Sequence, residues 1–320
     1  MAENVYDIAI TGGRVIDPET KLDAVRNVGI TGEKIAIVTE DSITGKETID
    51  ATGHVVCPGF IDMHQHNTAT PFGEHLALRD GVTTPLELEM GVYPVAEWYK
   101  SVEGKCRANY GASASTMMVR EKLLNPNFKD NEHGYFVYDA MASPVESNIS
   151  MNWSTTPSTP EQIQKLEEML DEGLSEGSIG VGVAAGYAVD GLSQQEAMIG
   201  QKLAGKYGSS VFLHGRYSGQ TPPTSGILGF MELMGPQEAY GGGLVIQHMT
   251  AQALKDSKAA LSMIDSARGK GVPVVAEIYP YDYGASIVGA DYLKPDNYQN
   301  NMGRTYKDII QMSNMTPLTE

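Results

Sequence analysis

Two histidines separated by a single residue, His64 and His66, are the residues whose type and spacing point most directly to chemistry. They follow an apolar segment, residues 55–61, that is typical of a buried strand. Side chains two residues apart in a strand lie on the same side, so both imidazoles would face one point. Neutral imidazole is a favoured ligand of zinc and its neighbours. The pair by itself is equally compatible with two surface or hydrogen-bonded histidines.

Two further histidines follow apolar segments in the same way. His214 comes directly after residues 210–213, and His248 follows residues 244–246. Barrel enzymes build their active sites at the carboxyl ends of parallel strands. Four of the seven histidines are therefore predicted on one rim, which favours a metal site over isolated structural histidines.

These histidines need a sheet to position them, and the chain pattern supplies one. Short apolar segments separated by glycine turns over residues 5–56 indicate a small all-β unit. Beyond it, apolar strands alternate with helical segments, which predicts a parallel sheet. Thr159 and Ser193 are the predicted N-caps of two helices, and residues 253–268 form a third. The seven predicted strands are residues 55–61, 82–88, 108–112, 178–183, 210–213, 244–246 and 272–278.

Seven strands fall one short of the eight that close a (β/α) barrel, and an open doubly wound sheet is the alternative. No Gly-x-Gly-x-x-Gly motif follows a strand, so the sequence gives no support for dinucleotide binding. Residues 115–158 are rich in Pro, Asn and Ser and are expected to form a loop or lid near the site, although residues 117–120 could begin a helix.

The composition excludes several classes of partner. The 320 residues carry a formal charge of −17, which disfavours binding to nucleic acid and to anionic membranes. Two cysteines are too few for a disulfide scaffold, and we expect Cys57 to be a buried thiol. The sequence has no signal-peptide pattern at its start and no run of about 20 apolar residues, which predicts a cytoplasmic protein without a membrane partner.

Several segments resemble those of a known family, in matching order. The chain resembles the amidohydrolase superfamily and is most similar to its D-aminoacylase (N-acyl-D-amino-acid deacylase) branch. The resemblance extends from about residue 5 to residue 290. It is carried by residues 6–18, 58–66, 81–84 and 176–182, by Tyr187, by His214 with Arg216, by His248, and by residues 279–281.

The resemblance implies a fold and an activity. The fold would be a (β/α)8-type TIM barrel over residues 57–320, preceded by a β-sandwich portion over residues 1–56. The activity would be hydrolysis of a small-molecule amide, an N-acyl-amino acid, by metal-bound hydroxide. His64 and His66 would hold one metal and His214 and His248 a second, giving one or two Zn²⁺ per chain. A cyclic amidase of the hydantoinase or dihydroorotase type and an inactive metal- or ligand-binding fragment are the alternatives.

The ligand between the two metal positions departs from the family. Many members use a carboxylated lysine at the fourth strand, but residues 178–201 contain no Lys. The cysteine that the D-aminoacylase branch has after the second strand is also missing. We expect Glu89 to replace it, with Glu87 as runner-up, because a carboxylate in an apolar strand end is costly to bury unless it is paired or metal-bound. The alternative is an ion pair with Arg216 or another base.

Three residues match family positions near the substrate. Arg216 could pair with a substrate carboxylate or form a structural ion pair. Tyr187 and Tyr281 could line the substrate site or pack in the core. The lysine that often follows the sixth-strand histidine is Thr250 here, which departs from the usual carboxylate-binding pattern.

The family's catalytic aspartate, which ends the eighth strand, has no counterpart in the sequence pattern. None of Asp291, Asp296 and Asp308 follows an apolar strand, and residues 308–312 predict a helix. The barrel is therefore expected to be incomplete at its C-terminus, in a fragment or a shortened homologue. Unpaired strand edges would make the chain poorly stable as a monomer or drive it to form a homo-oligomer.

Overall fold

The computed structural model describes residues 5–66, 70–126, 128, 135–136, 152–220, 222, 224–286 and 290–318. The chain divides into two compact units, Met1–Phe60 and Ile61–Glu320. None of the described helices is both long and apolar enough to cross a membrane.

The first unit is a five-stranded sheet. Its strand order is β3-β2-β1-β4, and β5 also pairs with β1. Among the described residues this is one sheet, so a two-sheet sandwich is not seen. Cys57 is exposed, and the expectation of a buried thiol is wrong. The strands are β1 (Val5–Asp17), β2 (Leu22–Thr31), β3 (Lys34–Thr39), β4 (Thr44–Asp50) and β5 (Val55–Val56).

The second unit contains a mostly parallel sheet whose strands, apart from the edge strand β10, follow one another in chain order. The order is β10-β8-β9-β11-β12-β13-β14, with β10 antiparallel at one edge, while β6 and β7 pair separately. Within the described residues this sheet does not close on itself. The strands are β6 (Phe60–Asp62), β7 (Val82–Pro85), β8 (Glu87–Tyr93), β9 (Ala112–Ser115), β10 (Tyr135–Phe136), β11 (Gly180–Ala184), β12 (Ser210–His214), β13 (Gly243–Ile246) and β14 (Val274–Ala276).

Helices connect these strands, and the two predicted N-caps are confirmed. Thr159 and Ser193 each form a capping box, in which the side chain and the residue three positions later satisfy one another's backbone N–H groups. The helices are α1 (Pro71–Arg79), α2 (Val95–Val102), α3 (Thr116–Leu124), α4 (Asn152–Thr155), α5 (Pro160–Ser175), α6 (Gln194–Tyr207), α7 (Gly226–Tyr240), α8 (Met249–Ala253) and α9 (Ser257–Gly269).

The two faces of the sheet bury different side chains, as strand alternation requires. Leu213 and Ile246 join the large cluster packed beneath the helices. Phe212 and Val245 point to the other face, where they meet Leu88 in a small cluster.

A buried ion pair joins α3 to α6. Arg120 and Glu196 are both fully buried and in direct contact. The guanidinium also donates to the carbonyls of Trp153 and Thr156, at 2.8 and 2.7 Å. Sequence patterns do not reveal this pair, because its partners are far apart in the chain.

Two predicted elements are wrong in their details. The strand over residues 55–61 is interrupted at Pro58-Gly59, since proline lacks the N–H that a central strand must donate. The helix over residues 308–312 is instead a 3₁₀ turn, Tyr306–Asp308, followed by a hairpin of β15 (Ile310–Gln311) and β16 (Thr316–Pro317). Much of the predicted lid, including residues 137–151, lies outside the described residues.

Candidate metal centre

Four histidines converge on the carboxylate of Glu89, the third residue of β8, which is 2% exposed. Its Oε1 lies 2.7 Å from Nδ1 of His214 and 2.7 Å from Nε2 of His248. Its Oε2 lies 3.2 Å from Nε2 of His64 and 3.3 Å from Nε2 of His66. Each carboxylate oxygen therefore faces one pair of imidazoles.

The histidines come from the carboxyl ends of three strands, as the sequence predicts. His214 is the last residue of β12, and His248 follows β13 by two residues. His64 and His66 lie in the turn after β6 rather than in the strand, where Asp62 accepts the His64 backbone N–H at 2.9 Å. Their ring centroids are 5.3 Å apart and nearly perpendicular.

Two local backbone features allow this convergence. A Cβ atom on Gly186 would lie 2.5 Å from Cδ2 of the His214 ring, so only glycine leaves room for that ring. His248 has a positive φ of 31°, which is unusual for a non-glycine residue and turns the chain sharply after β13. The rings of His214 and His248 lie 4.5 Å apart.

Two more carboxylates lie behind the histidines, on the side away from Glu89. Glu87, which is 2% exposed, accepts a hydrogen bond from Nδ1 of His66 at 2.8 Å. Glu277 accepts from Nδ1 of His64. Sequence reasoning missed Glu277, although it follows the apolar residues 272–276 at the end of the seventh predicted strand. The rule that selected Glu89, an acid at a strand end, would have found it.

The charges of the cluster shift the pKa values of its members in opposite directions. Burial disfavours the charged form of His64, but Glu89 and Glu277 outweigh it and raise the pKa of His64 to about 10. Burial likewise opposes ionisation of Glu89, yet His64, His248 and His214 hold its pKa well below the usual range. For His214, burial prevails over Glu89 and lowers the pKa. Glu89 is therefore an ionised carboxylate in a buried site.

The donor set fits a zinc-type ion. One ligand atom each from His64, Glu89 and His248 lie within 4.8 Å of one another. Imidazole nitrogen and carboxylate oxygen are the ligands that zinc takes in catalytic sites. The Nδ1 atom of His248 is buried and has no hydrogen-bond partner among the described residues. A polar cluster with such an unsatisfied atom is not complete through its own hydrogen bonds.

Arg216 forms a structural ion pair, one of the two roles that the sequence leaves open for it. Its guanidinium pairs with Glu232 at 2.6 Å and donates to the carbonyl oxygens of Val189 and Leu192 at 3.2 and 2.7 Å. The side chain is 8% exposed. These partners occupy most of the N–H donors of the guanidinium.

The two predicted tyrosines are separated. The Tyr187 ring lies 4.7 Å from the His214 ring, and Tyr292, which the sequence did not single out, packs 5.5 Å from Tyr187. Tyr281 is 67% exposed, and its ring packs against those of Tyr279 and Tyr283. The structure thus brings Tyr187, but not Tyr281, against the histidine cluster.

Comparisons with known proteins give relatives along most of the chain, although no family model matches it. An N-acyl-D-glutamate deacylase of Alcaligenes xylosoxydans xylosoxydans is 26% identical over 302 residues, covering 88% of this chain and 58% of the relative. A dihydroorotase of Streptococcus thermophilus is 25% identical over 300 residues, covering 86% of this chain and 61% of the relative. The chain thus spans about three fifths of the length of these relatives.

Solved structures share the fold. A D-aminoacylase structure described as having a binuclear metal centre superposes with a TM-score of 0.67 at 19% identity, covering 86% of this chain and 59% of the other. An N-acyl-D-glutamate deacylase from Bordetella bronchiseptica, complexed with zinc and a phosphonate inhibitor, gives 0.63 at 22% identity, covering 87% and 59%. Sequence relatives and shared fold thus agree over more than four fifths of the chain: it is similar to proteins of the amidohydrolase superfamily, as its motifs predict, and a D-aminoacylase and an N-acyl-D-glutamate deacylase are among the proteins it resembles.

Proposed function

We propose that this chain provides the metal-binding core of an enzyme that hydrolyses a carbon–nitrogen amide bond, and that the substrate is an N-acyl-amino acid. The observation that carries the proposal is the convergence of four imidazoles on the buried carboxylate of Glu89. We assign the chemistry to residues 57–320, with residues 1–56 as a separate β portion.

Glu89 has the geometry of a bridging ligand. Its Oε1 faces His214 and His248, and its Oε2 faces His64 and His66, so one carboxylate could serve two adjacent metal positions. Glu87, the other candidate, lies behind His66 and contacts the ring nitrogen that points away from Glu89. This supports Glu89 as the ligand and one or two Zn²⁺ per chain.

Zinc bound at this site would supply a hydroxide nucleophile near neutral pH and polarise the scissile carbonyl. The chain's own residues would hold the metal and orient the groups that react. Glu89 and the histidines would fix the position of the metal, and the Tyr187 ring lines the site beside His214. Burial of Glu89 keeps water from competing for the carboxylate and strengthens its electrostatic interactions.

The deacylase assignment draws on the names of the relatives. The N-acyl-D-glutamate deacylase aligns over 88% of this chain, and two D-aminoacylase-type structures share its fold. A cyclic amidase is the second candidate, because a dihydroorotase aligns over 86% of the chain at nearly the same identity. Product analysis with N-acyl-D-amino acids against dihydroorotate and hydantoins separates the two.

The first experiment is zinc stoichiometry on the purified 320-residue chain after loosely bound metal has been removed. We expect about one or two tightly held zinc ions per chain, the numbers that mononuclear and binuclear sites require. A chain that retains no zinc, and gains none when zinc is supplied, would overturn the proposal. Turnover of any amide by the zinc-loaded chain would exclude the third reading, an inactive fragment.

A further inference from the structure

Glu277 lies directly after β14 and forms hydrogen bonds with two of the histidines. Its Oε1 accepts a hydrogen bond from Nδ1 of His64 and another from the backbone N–H of His248. One carboxylate thereby joins residues that follow three different strands, β6, β13 and β14.

The backbone of Glu277 is itself held against the end of β13. Its N–H donates to the carbonyl of Ile246 at 3.0 Å, and its carbonyl accepts from Met249 at 3.0 Å. The side chain is 18% exposed. With both sides of the residue bonded to the segment that carries His248, the carboxylate has a fixed position from which to orient its partners.

The contact with His64 fixes which nitrogen faces the centre. A histidine that donates its Nδ1–H to a carboxylate must present Nε2 on its other side, and outer carboxylates of this kind orient metal-binding imidazoles. Here Nε2 of His64 is the atom that faces Glu89. Glu87 has the same relation to His66, whereas Glu277 accepts from the His64 ring and also from the backbone N–H of His248.

The contact with His248 acts on the backbone rather than the ring. The positive φ of 31° at His248 is costly for a side chain with a Cβ atom, so the surrounding contacts must hold it. Its ring has no carboxylate behind it, since Nδ1 has no partner in the described part of the chain. The bond from its N–H to Glu277 therefore helps to set the direction in which Nε2 points.

We propose that Glu277 is a positioning residue that orients His64 and His248 together toward a shared metal. This inference rests on the proposed function, because it takes the histidine cluster to be a metal centre. It predicts that removing one carboxylate outside the ligand set weakens binding through two ligands at once.

The test compares zinc affinity in Glu277→Ala, Glu277→Gln and the wild-type chain by competition with a chromophoric chelator. We expect Glu277→Ala to lower the affinity about 10- to 100-fold, the range for outer partners of metal ligands. Glu277→Gln keeps an acceptor oxygen and should lose less. The matched control is Glu74→Gln, because Glu74 is also buried and accepts two backbone N–H groups, but none from a histidine.

A second readout needs no metal. In ¹⁵N-histidine-labelled, metal-free protein we expect a low-field Nδ1–H proton from His64 that exchanges slowly with water, is absent in Glu277→Ala and persists in Glu74→Gln. Wild-type zinc affinity in a folded Glu277→Ala protein, or an unchanged His64 proton, would overturn the positioning role. If the wild-type chain binds no zinc, the proposed function fails, and with it the inference, even where the proton shows that Glu277 orients His64.

Discussion

Glu89 and Glu196 are both buried carboxylates, yet they are neutralised in different ways. Glu196 faces Arg120 and also accepts from Ser158 Oγ and Ser193 N–H, at 2.7 and 2.8 Å. Glu89 faces four imidazoles instead. A guanidinium keeps its proton in proteins, whereas an imidazole gains or loses one near neutral pH.

The difference separates a structural charge from a reactive one. The Arg120 guanidinium donates to Glu196, to Ser158, and to the carbonyls of Trp153 and Thr156. Around Glu89 the imidazoles can give up protons, and Nδ1 of His248 is left without a partner among the described residues. The first cluster is satisfied by the chain alone, and the second can exchange protons for a metal ion.

The largest effect on stability is expected at the structural pair. Glu196→Gln leaves the Arg120 guanidinium buried beside a neutral amide, which should destabilise the fold by about 3–5 kcal/mol. Urea unfolding followed by circular dichroism measures the change. Zinc bound per folded chain should stay at the wild-type value. A loss in the free energy of unfolding below 1 kcal/mol would contradict the view that Arg120 and Glu196 form a structural ion pair.

Glu89→Gln should reverse that pattern. Removing the shared carboxylate should weaken zinc binding by about 100-fold or more, at or above the top of the range for outer partners. Metal-free stability should change less than in Glu196→Gln, because the imidazoles can release their protons. Elemental analysis and urea unfolding of the same preparations give both numbers. Unchanged zinc content would exclude Glu89 as a ligand.

The pH dependence of stability sharpens the comparison further. The pKa of His64 rises from 6.5 to about 10 in the folded chain, so its contribution is complete below pH 6.5 and is lost as pH rises through about 10. The pKa of Glu89 is lowered from 4.5, so its contribution is present above pH 4.5 and is lost on acidification. Both contributions are present between pH 4.5 and pH 6.5, so metal-free protein should be most stable in that range.

Above pH 6.5 the free energy of unfolding should fall by up to about 1.4 kcal/mol per pH unit for each proton released. Urea unfolding of metal-free protein from pH 6.5 to pH 10 measures this slope. Glu89→Gln should make this slope shallower without abolishing it, since Glu277 still raises the pKa of His64, while zinc affinity of the wild-type chain should rise over the same range as imidazoles deprotonate. A slope that is unchanged in Glu89→Gln would assign it to other groups.

The sequence located the strand-end histidines and the capped helices, because both depend on local patterns. Thr159 and Ser193 are caps that a few neighbouring residues determine. The choice of Glu89 as the candidate ligand rests on the cost of burying an acidic side chain in an apolar strand. The Arg120–Glu196 pair and the bond from His64 to Glu277 join residues 76 and 213 positions apart, and no local pattern encodes such a contact. The break at Pro58-Gly59 does have a local cause, since proline lacks the N–H that a central strand must donate.

The smallest effect is expected from adding one methyl group beside the cluster. In Gly186→Ala the new Cβ would lie 2.5 and 2.7 Å from Cδ2 and Nε2 of His214, so the ring must shift. The new Cβ would also lie 2.8 Å from the backbone oxygen of Gly215, so the backbone must adjust as well, and we expect a stability loss of about 1–3 kcal/mol, the usual range for overpacking. Zinc affinity should fall by a few fold, because His214 leaves its place beside Glu89.

Gly269→Ala is the matched control for that change, since Gly269 ends α9 and a Cβ there meets nothing within 4 Å. It should leave zinc affinity unchanged. Chelator competition and urea unfolding of the two variants separate a local effect on His214 from a general effect of adding alanine. If Gly186→Ala lost stability but kept wild-type zinc affinity, His214 would have a structural role and would not be a metal ligand. The contrast between Glu89 and Glu196 would then depend on His64, His66 and His248 alone.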